Sequence, residues 1–190
     1  MAEGPSMNVG FVTDYVFRGV TQTDQTAAVQ GGLDWEKDKF SYGVWGSAFA
    51  VGSEIDVYAS YDFGPVSVGA IYYWYPLVDK LSPTNLSTYE LNVGGDVGPV
   101  SLMASLGENS YYYLEAGYSA EIGKGATVDL HVGYTDPGGG GTTGVDYSVG
   151  VGGKFGGVDL GLTYASSPLD ATAEGKVFLS ASKSMYPENQ

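Results

Sequence analysis

The chemistry open to this chain is limited first by its single histidine. The sequence has one histidine and no cysteine, so any mechanism that uses an imidazole must use His131. Asp129 stands two residues before it, and Ser119 and Ser148 lie on segments that we expect to be neighbouring strands, which allows the hypothesis of a Ser–His–Asp hydrolase. No nucleophile-elbow motif accompanies these residues. A polar position on the inner face of a sheet is the simpler interpretation, and we do not expect an enzyme.

Polar side chains recur at every second position of short segments, as at Glu54 and Asp56. A period of two places such side chains on one face of a β-strand, opposite the Val, Leu and Tyr that alternate with them. Twelve of these polar side chains are expected to line a lumen and set its ion selectivity: Asp14, Arg18, Asp34, Glu54, Asp56, Glu90, Asp96, Glu115, Asp129, His131, Asp146 and Lys154.

Arg18 is the one arginine of the chain and stands at the start of the first long connection. A guanidinium there is placed to form a bidentate bond with Asp14, Asp34 or Asp56 on neighbouring strands, which would fix the rim of the structure. The alternative is that its charge takes part in ion selectivity.

Other site types find little support. The glycine-rich run 136–144 lacks the Gly-Lys-Ser/Thr ending of a phosphate-binding loop, so a flexible external loop is expected. The carboxylates have no metal-ligand spacing, and we expect no metal and no cofactor, with weak Ca²⁺ binding by loop acids as an alternative. A net charge of −14 with eight Lys and Arg argues against a nucleic-acid partner.

The composition is that of an all-β membrane protein. We expect one domain over residues 1–190, with an N-terminal extension at 1–6 and a C-terminal tail at 186–190. No segment approaches the ~18 apolar residues of a membrane-spanning helix, so a membrane crossing must be made by strands. Thirty Gly, sixteen Tyr and a charged fraction of 16% also differ from an ordinary soluble domain. The lack of cysteine fits an oxidising compartment.

The alternation predicts twelve strands of the length that crosses a bilayer when tilted. They are expected at 7–17, 27–36, 40–50, 54–63, 66–75, 86–97, 100–107, 111–122, 126–135, 144–155, 158–165 and 174–185. The connections alternate in length, with tight turns after every second strand and mostly longer loops between them. This parity is typical of an outer-membrane barrel, in which the short turns share one rim.

The distribution of apolar residues leaves two interpretations open. In a soluble β-sandwich the apolar face would form the core, whereas in a membrane barrel it faces lipid. Aromatic residues near the strand ends, such as Trp35, Phe40 and Phe63, are typical of interfacial girdles and favour the membrane.

A family resemblance supports the same interpretation. Residues 15–24, Tyr-Val-Phe-Arg-Gly-Val-Thr-Gln-Thr-Asp, resemble the opening signature of the TorF-like porins of proteobacteria, and the likeness continues through Val29–Asp34, Gly43–Ser47, Glu54–Asp56 and Tyr73–Pro76. The resemblance implies an outer-membrane β-barrel with a channel role and no catalytic residues. The chain departs from such barrels at its end, where Met185 is followed by five further residues instead of the usual terminal aromatic.

The sequence thus predicts an all-β fold, a single antiparallel up-and-down transmembrane β-barrel of twelve strands in a bacterial outer membrane, from which a signal peptide has been removed. Its expected partners are outer-membrane lipid and small solutes or cations, in no specified oligomeric state. The expected function is passive, cation-preferring diffusion through an acidic lumen. The alternative is a barrel that does not conduct and binds a ligand or partner through its long loops.

Overall fold

The computed structural model describes residues 5–50, 52–77, 86–172 and 174–186 and shows a closed, all-β barrel. The strands are β1 (Ser6–Val12), β2 (Val16–Phe17), β3 (Val20–Thr21), β4 (Ala28–Lys37), β5 (Phe40–Phe49), β6 (Gly52–Asp62), β7 (Ser67–Trp74), β8 (Thr88–Val97), β9 (Val100–Gly107), β10 (Tyr112–Gly123), β11 (Ala126–Asp136), β12 (Gly144–Phe155), β13 (Val158–Ser166) and β14 (Lys176–Met185). Within this part of the chain, no helix has the length and apolar character that crossing a membrane requires.

Twelve of the described strands pair antiparallel in chain order, and the first closes the ring against the last. Val9 on β1 lies opposite Gly31 on β4 and Lys183 on β14. Each barrel strand therefore has hydrogen-bonded neighbours on both sides, and the described part of the barrel sheet has no open edge. Closure of this kind is what allows strands to cross lipid, because backbone groups have no water to bond there.

The connections follow the predicted parity. Short turns join β4 to β5, β6 to β7, β8 to β9, β10 to β11 and β12 to β13, and the longer connections lie at the opposite rim. At Gly156-Gly157 both residues have positive φ, 60° and 80°, which is the conformation of a two-residue hairpin turn that glycine adopts without strain. The expected C-terminal tail and the long connection at 76–85 lie largely outside the described residues.

The apolar face points outward. Side chains such as Val57, Leu91, Ile122 and Val177 are more than half exposed, and the largest apolar exposure is Phe155 at 80%. The buried side chains are mostly polar, among them Asp14, Glu54, Asp56, Glu90 and Asp146. This is the arrangement expected for a membrane barrel, and the alternative of a soluble sandwich with an apolar core is wrong.

The predicted strand ends agree with the structure to within two residues, except in the first strand. The prediction ran β1 through residue 17, but β1 ends at Val12 and Val16–Phe17 instead pairs with Val20–Thr21. The reason is local: Arg18 and Gly19 have φ of 49° and 74°, which turns the chain back on itself in two residues. Alternation of apolar residues alone does not distinguish a long strand from two short ones.

The outward face predicts how charge is tolerated. Leu130, near the middle of β11, is 43% exposed and faces outward, while its neighbour Asp129 faces inward. We expect Leu130→Lys to destabilise the folded barrel by about 2–4 kcal/mol, because an ammonium group would be placed in lipid. Denaturant unfolding in lipid vesicles measures this. The matched control, Asp129→Lys, should change stability far less; an equal loss in both variants would contradict an outward lipid face.

Candidate functional site: a hairpin held inside an acidic lumen

The segment between β1 and β4 folds into the barrel and does not extend away from it. Its central part, Val16–Thr21, is the β2–β3 hairpin, called here the inner hairpin. Its tip lies against the start of the connection between β13 and β14. A Cβ added to Gly19 would lie 2.7 Å from the Ser166 carbonyl oxygen and from the Ser167 Cβ. Only glycine fits this close approach at a φ of 74°.

Arg18, at the tip of the inner hairpin, is bound to the opposite wall of the barrel. Its guanidinium donates two hydrogen bonds to Glu90 on β8, with N–O distances of 2.7 and 2.9 Å, and a third to the Tyr111 hydroxyl. It also lies 3.9 Å from the centre of the Tyr113 ring. Both charged side chains are nearly buried, at 12% and 7% exposure. Burial lowers the pKa of Arg18, but the bonds to Glu90 outweigh this and hold it above its ordinary value.

The predicted partners of Arg18 were wrong. Asp14, Asp34 and Asp56 were proposed on the assumption that Arg18 extends a strand at the rim, beside its neighbours in the sheet. The turn at Arg18-Gly19 instead carries the guanidinium across the lumen, from the β1–β4 side to β8. The bidentate geometry was predicted correctly, and only the carboxylate differs.

The base of the inner hairpin is fixed by Asp14. Its Oδ1 accepts hydrogen bonds from the hydroxyls of Thr21, at 2.6 Å, and Thr23, at 3.0 Å. The Thr23 hydroxyl in turn accepts the backbone N–H of Tyr15. Asp14 is 4% exposed, so these bonds are shielded from water. Asp14 therefore shapes the hairpin from within and does not line an open passage.

A second anchor holds the hairpin from the connection between β13 and β14. Asp170 Oδ2 accepts the backbone N–H of Thr21 at 3.0 Å, and its Oδ1 lies 3.2 Å from Lys176 Nζ. Burial on its own would raise the pKa of Asp170, but hydrogen bonds from Thr172, Thr21 and Lys176 hold it well below its ordinary value. The hairpin is thus tied to both β8 and the last long connection.

His131 takes part in a cluster on the barrel wall that Tyr113 connects to Arg18 of the hairpin. Its Nε2 lies 2.8 Å from Asp146 Oδ1 and 2.9 Å from the Tyr113 hydroxyl, and Nδ1 lies 4.0 Å from Glu115 Oε2. Asp129 is on the same inward face but nearer the short-turn rim. Ser148 is directly opposite His131 across β11 and β12. In the described residues, the hydrogen bonds of His131 run to Tyr113 and Asp146 and involve no serine, so the geometry of the hydrolase hypothesis is absent there.

Glu54 and Asp56 form a further acidic pair at the level of the hairpin. They are 3% and 6% exposed on the inward face of β6. The Tyr75 hydroxyl donates to Glu54 Oε1 at 2.9 Å. Burial, followed by the neighbouring Glu54 and Asp56 carboxylates, raises the pKa of the Tyr15 phenol, which lies beside them. Within the described residues, no Lys, Arg or His forms an ion pair with either carboxylate.

The remaining predicted residues lie toward the short-turn rim. Lys154 and Asp159 form an exposed pair at 3.5 Å beside a cavity of about 330 Å³, whose wall includes Asp129 and several glycines and serines. Asp96, near the end of β8, faces inward, as does Asp34, which accepts a hydrogen bond from Tyr58. The twelve residues therefore lie on the inward face, in the inner hairpin or at its base, at two levels rather than in one cluster.

Sequence reasoning missed the groups that come from loops. Asp170, which bonds to the hairpin, stands outside the alternating pattern, and Tyr111 was placed in a predicted strand (111–122) without a role, whereas it precedes β10 and bonds to Arg18. Large aromatic side chains also share the inward face in the strand register, namely Trp45, Phe49, Tyr58, Tyr73 and Tyr113.

Residues 3–189 match the sequence family described as "Bacterial protein of unknown function (Gcw_chp)". The chain belongs to this family. No curated protein sequence matches it.

Solved structures share the fold of this Gcw_chp protein. It is similar to the KdgM porin in complex with disordered oligogalacturonate, with a TM-score of 0.58 and 11% identity over 96% of this chain and 99% of that one. It is also similar to LpxR from Salmonella typhimurium, with a TM-score of 0.51 and 11% identity over 95% and 99%. A third structure, from a study of in-meso crystallization of membrane proteins, has a TM-score of 0.56 and 7% identity over 99% and 86%. These likenesses establish a barrel of the outer-membrane type.

The low pKa of Asp170 predicts the pH range over which its hydrogen bond to the Thr21 amide persists. A carboxyl whose pKa is depressed on folding stabilises the fold above its unfolded pKa, about 4, and loses this contribution as the pH falls through the folded value. We therefore expect the Thr21 amide to be equally protected from hydrogen exchange at pH 7 and pH 5, after correction for intrinsic rates.

Asp170→Asn should lower this protection about tenfold or more, because hydrogen bonds to a charged group contribute about 1.5–3 kcal/mol. Asp159→Asn, at the opposite rim, is the control and should leave Thr21 protected. Loss of protection in the unchanged protein between pH 7 and pH 5 would contradict the assignment.

Proposed function

We propose that this Gcw_chp protein is a porin-like channel of the bacterial outer membrane, which passes small cations by diffusion through a lumen narrowed by the inner hairpin. The proposal needs no cofactor and no catalytic step. The resemblance of residues 15–24 to the TorF-like porins and the fold shared with the KdgM porin support it. Residues 15–24 include the whole inner hairpin, so the most distinctive part of the sequence is also the part that enters the lumen.

The observation that carries the cation preference is the charge balance at the level of the hairpin. Among the described residues, the two strong bases at this level are each bound to a carboxylate, Arg18 to Glu90 and Lys176 to Asp170. Glu54, Asp56, Glu115 and Asp146 remain on the inward face without a Lys or Arg partner in the described part of the chain. A narrow passage with surplus negative charge favours cations over anions, because low-dielectric walls strengthen the field of each charge.

The low exposure of the lumen-facing side chains supports a lumen that the inner hairpin narrows. Side chains that face the lumen at this level are almost shielded from solvent, with Tyr113 and Ser105 at 0% and Asp146 at 1% exposure. Toward the short-turn rim, inward positions carry small residues such as Gly150, Gly152 and Ser182, which leave space. The passage is therefore tightest where the hairpin crosses it.

Ion selectivity tests the proposed function directly. Reconstituted in planar bilayers at neutral pH, the protein should carry current, and a tenfold KCl gradient should give a reversal potential of the sign expected for K⁺ permeating faster than Cl⁻. Protein-free bilayers prepared with the same detergent are the control. Absence of current, or selectivity for Cl⁻, would refute the proposal.

Displacing the inner hairpin should widen the passage. Valine at position 19 would meet both the backbone of Ser166 and an unfavourable φ of 74°, so we expect Gly19→Val to raise the single-channel conductance. The matched control is Gly157→Val, at a φ of 80° in an exposed turn where an added Cβ meets nothing within 4 Å. It imposes the same backbone strain and should leave conductance unchanged. Equal conductance of the Gly19→Val variant and the unchanged protein would show that the hairpin does not limit flow.

A second function is favoured by one observation. A cavity of about 430 Å³ opens at the long-loop rim between Arg18, Tyr73, Tyr75 and Tyr111. If the unchanged protein carries no current while Gly19→Val conducts, the hairpin acts as a plug, and a barrel that binds a ligand at this rim becomes the better assignment.

A further inference from the structure

Glu54 and Asp56 are two like charges placed side by side in the interior of the barrel. Being two residues apart on β6, both point inward, at 3% and 6% exposure. A buried carboxylate without a partner loses its hydration, and a second one beside it adds repulsion, so each makes the other more costly. In the residues that the structure describes, no base lies within ion-pair distance of either. A positive charge close to both carboxylates would therefore stabilise the pair.

The oxygen atoms around this pair are incompletely bonded. Asp56 Oδ1 and Ser47 Oγ have no hydrogen-bond partner within the described residues, and both are shielded from solvent. Ser47 is 3% exposed and stands directly opposite Glu54 in the register of β5 and β6. Trp45 occupies the corresponding position opposite Asp56. Two neighbouring strands thus bring unsatisfied oxygens to one inward patch beside Glu54.

The chemistry of these groups selects the ligand. Carboxylate and hydroxyl oxygens are hard ligands that suit small inorganic cations such as Ca²⁺, Na⁺ and K⁺. The described residues contain no group of three or more His, Cys, Asp or Glu able to hold a metal. Two carboxylates with neutral oxygens make a weaker site, one that an ion can both enter and leave, as conduction requires.

We propose that Glu54, Asp56 and Ser47 form a cation-binding subsite beside the inner hairpin, which binds a small inorganic cation through oxygen ligands and a divalent ion more tightly than a monovalent one. The placement of this subsite on the route of permeating ions rests on the proposed channel function; binding itself does not. The Tyr75 hydroxyl positions Glu54 by donating to its Oε1, and the oxygens of this patch left without a partner for the ion, within the described residues, are Asp56 Oδ1 and Ser47 Oγ.

Terbium luminescence tests binding without requiring conduction. Tb³⁺ replaces Ca²⁺ at oxygen sites and emits when a nearby tyrosine or tryptophan is excited, and Trp45 and Tyr75 both adjoin this subsite. The full chain, folded in detergent, should show sensitised Tb³⁺ emission that Ca²⁺ displaces, with an affinity for Ca²⁺ on the order of 10⁻³ M, as in weak oxygen sites.

The variant Glu54→Gln with Asp56→Asn keeps the size of both side chains and removes their charge, and should weaken Tb³⁺ binding more than about tenfold, or about 1.4 kcal/mol. Its control, Asp129→Asn with Asp159→Asn, removes two carboxylates from the short-turn half of the lumen and should retain the sensitised emission. Retained heat-dependent gel mobility and circular dichroism show that each variant is folded. Ser47→Ala, which changes no charge, should weaken binding to a smaller degree.

Equal Tb³⁺ affinity in the unchanged protein and the Glu54→Gln, Asp56→Asn variant would overturn the subsite, as would emission lost only in the control. Absence of sensitised emission from the folded unchanged protein would also overturn it and would indicate that the two carboxyls share a proton instead.

In bilayers, Ca²⁺ should reduce the K⁺ current of the unchanged protein and have less effect on the Glu54→Gln, Asp56→Asn variant. Tb³⁺ binding without any current would refute the channel and support the subsite. A K⁺ current without Tb³⁺ binding would support the channel and refute the subsite.

Discussion

The closed ring of backbone hydrogen bonds is the constraint from which the other features of this barrel follow. Lipid offers no partner to a free N–H or C=O, so each strand needs a neighbour on both sides, and β1 must meet β14. Once the ring is closed, successive side chains of each strand point alternately to the outer surface and to the interior of the barrel. The outer positions are taken mainly by Val, Leu and aromatic residues, and most charged residues of the strands are placed in one confined interior.

Confinement of that kind makes the interior energetically demanding. Charges that would be solvated on a soluble protein here lie close together with little water, and each requires a partner. The inner hairpin supplies part of the answer. Arg18 compensates Glu90, while the Thr21 and Thr23 hydroxyls compensate Asp14. The hairpin is therefore both an obstruction in the lumen and a source of the hydrogen bonds that the wall needs.

How far sequence predicts this molecule depends on the range of the interactions concerned. The strands from β4 onward were placed within two residues because alternation, turn residues and loop parity are all local signals. The inward face followed from the same period, which put the twelve candidate residues on the correct side. The fate of Arg18 did not follow. Its partner Glu90 lies 72 residues away, and choosing among several inward carboxylates requires knowing that the chain turns at Gly19 and crosses the lumen. The anchor at Asp170 is further away still, 149 residues from Thr21, and belongs to a loop without periodicity.

The unequal compensation of charge connects the fold with the proposed function. Glu54 and Asp56 repel each other, and no base in the described structure offsets this repulsion. Neutral residues at these two positions would remove it, because buried charges seldom stabilise a protein more than apolar or amide side chains of similar size. Stability alone therefore does not account for the two carboxylates. The bases present are instead committed to holding the inner hairpin and its anchor. Arg18 and Lys176 thus hold the inner hairpin and its anchor, while the two carboxylates of β6 lie beside it without a Lys or Arg partner in the described residues. In the proposed channel, such an interior would be stable where its charges are paired and would attract cations where they are not, and a permeating cation would supply the positive charge that Glu54 and Asp56 lack.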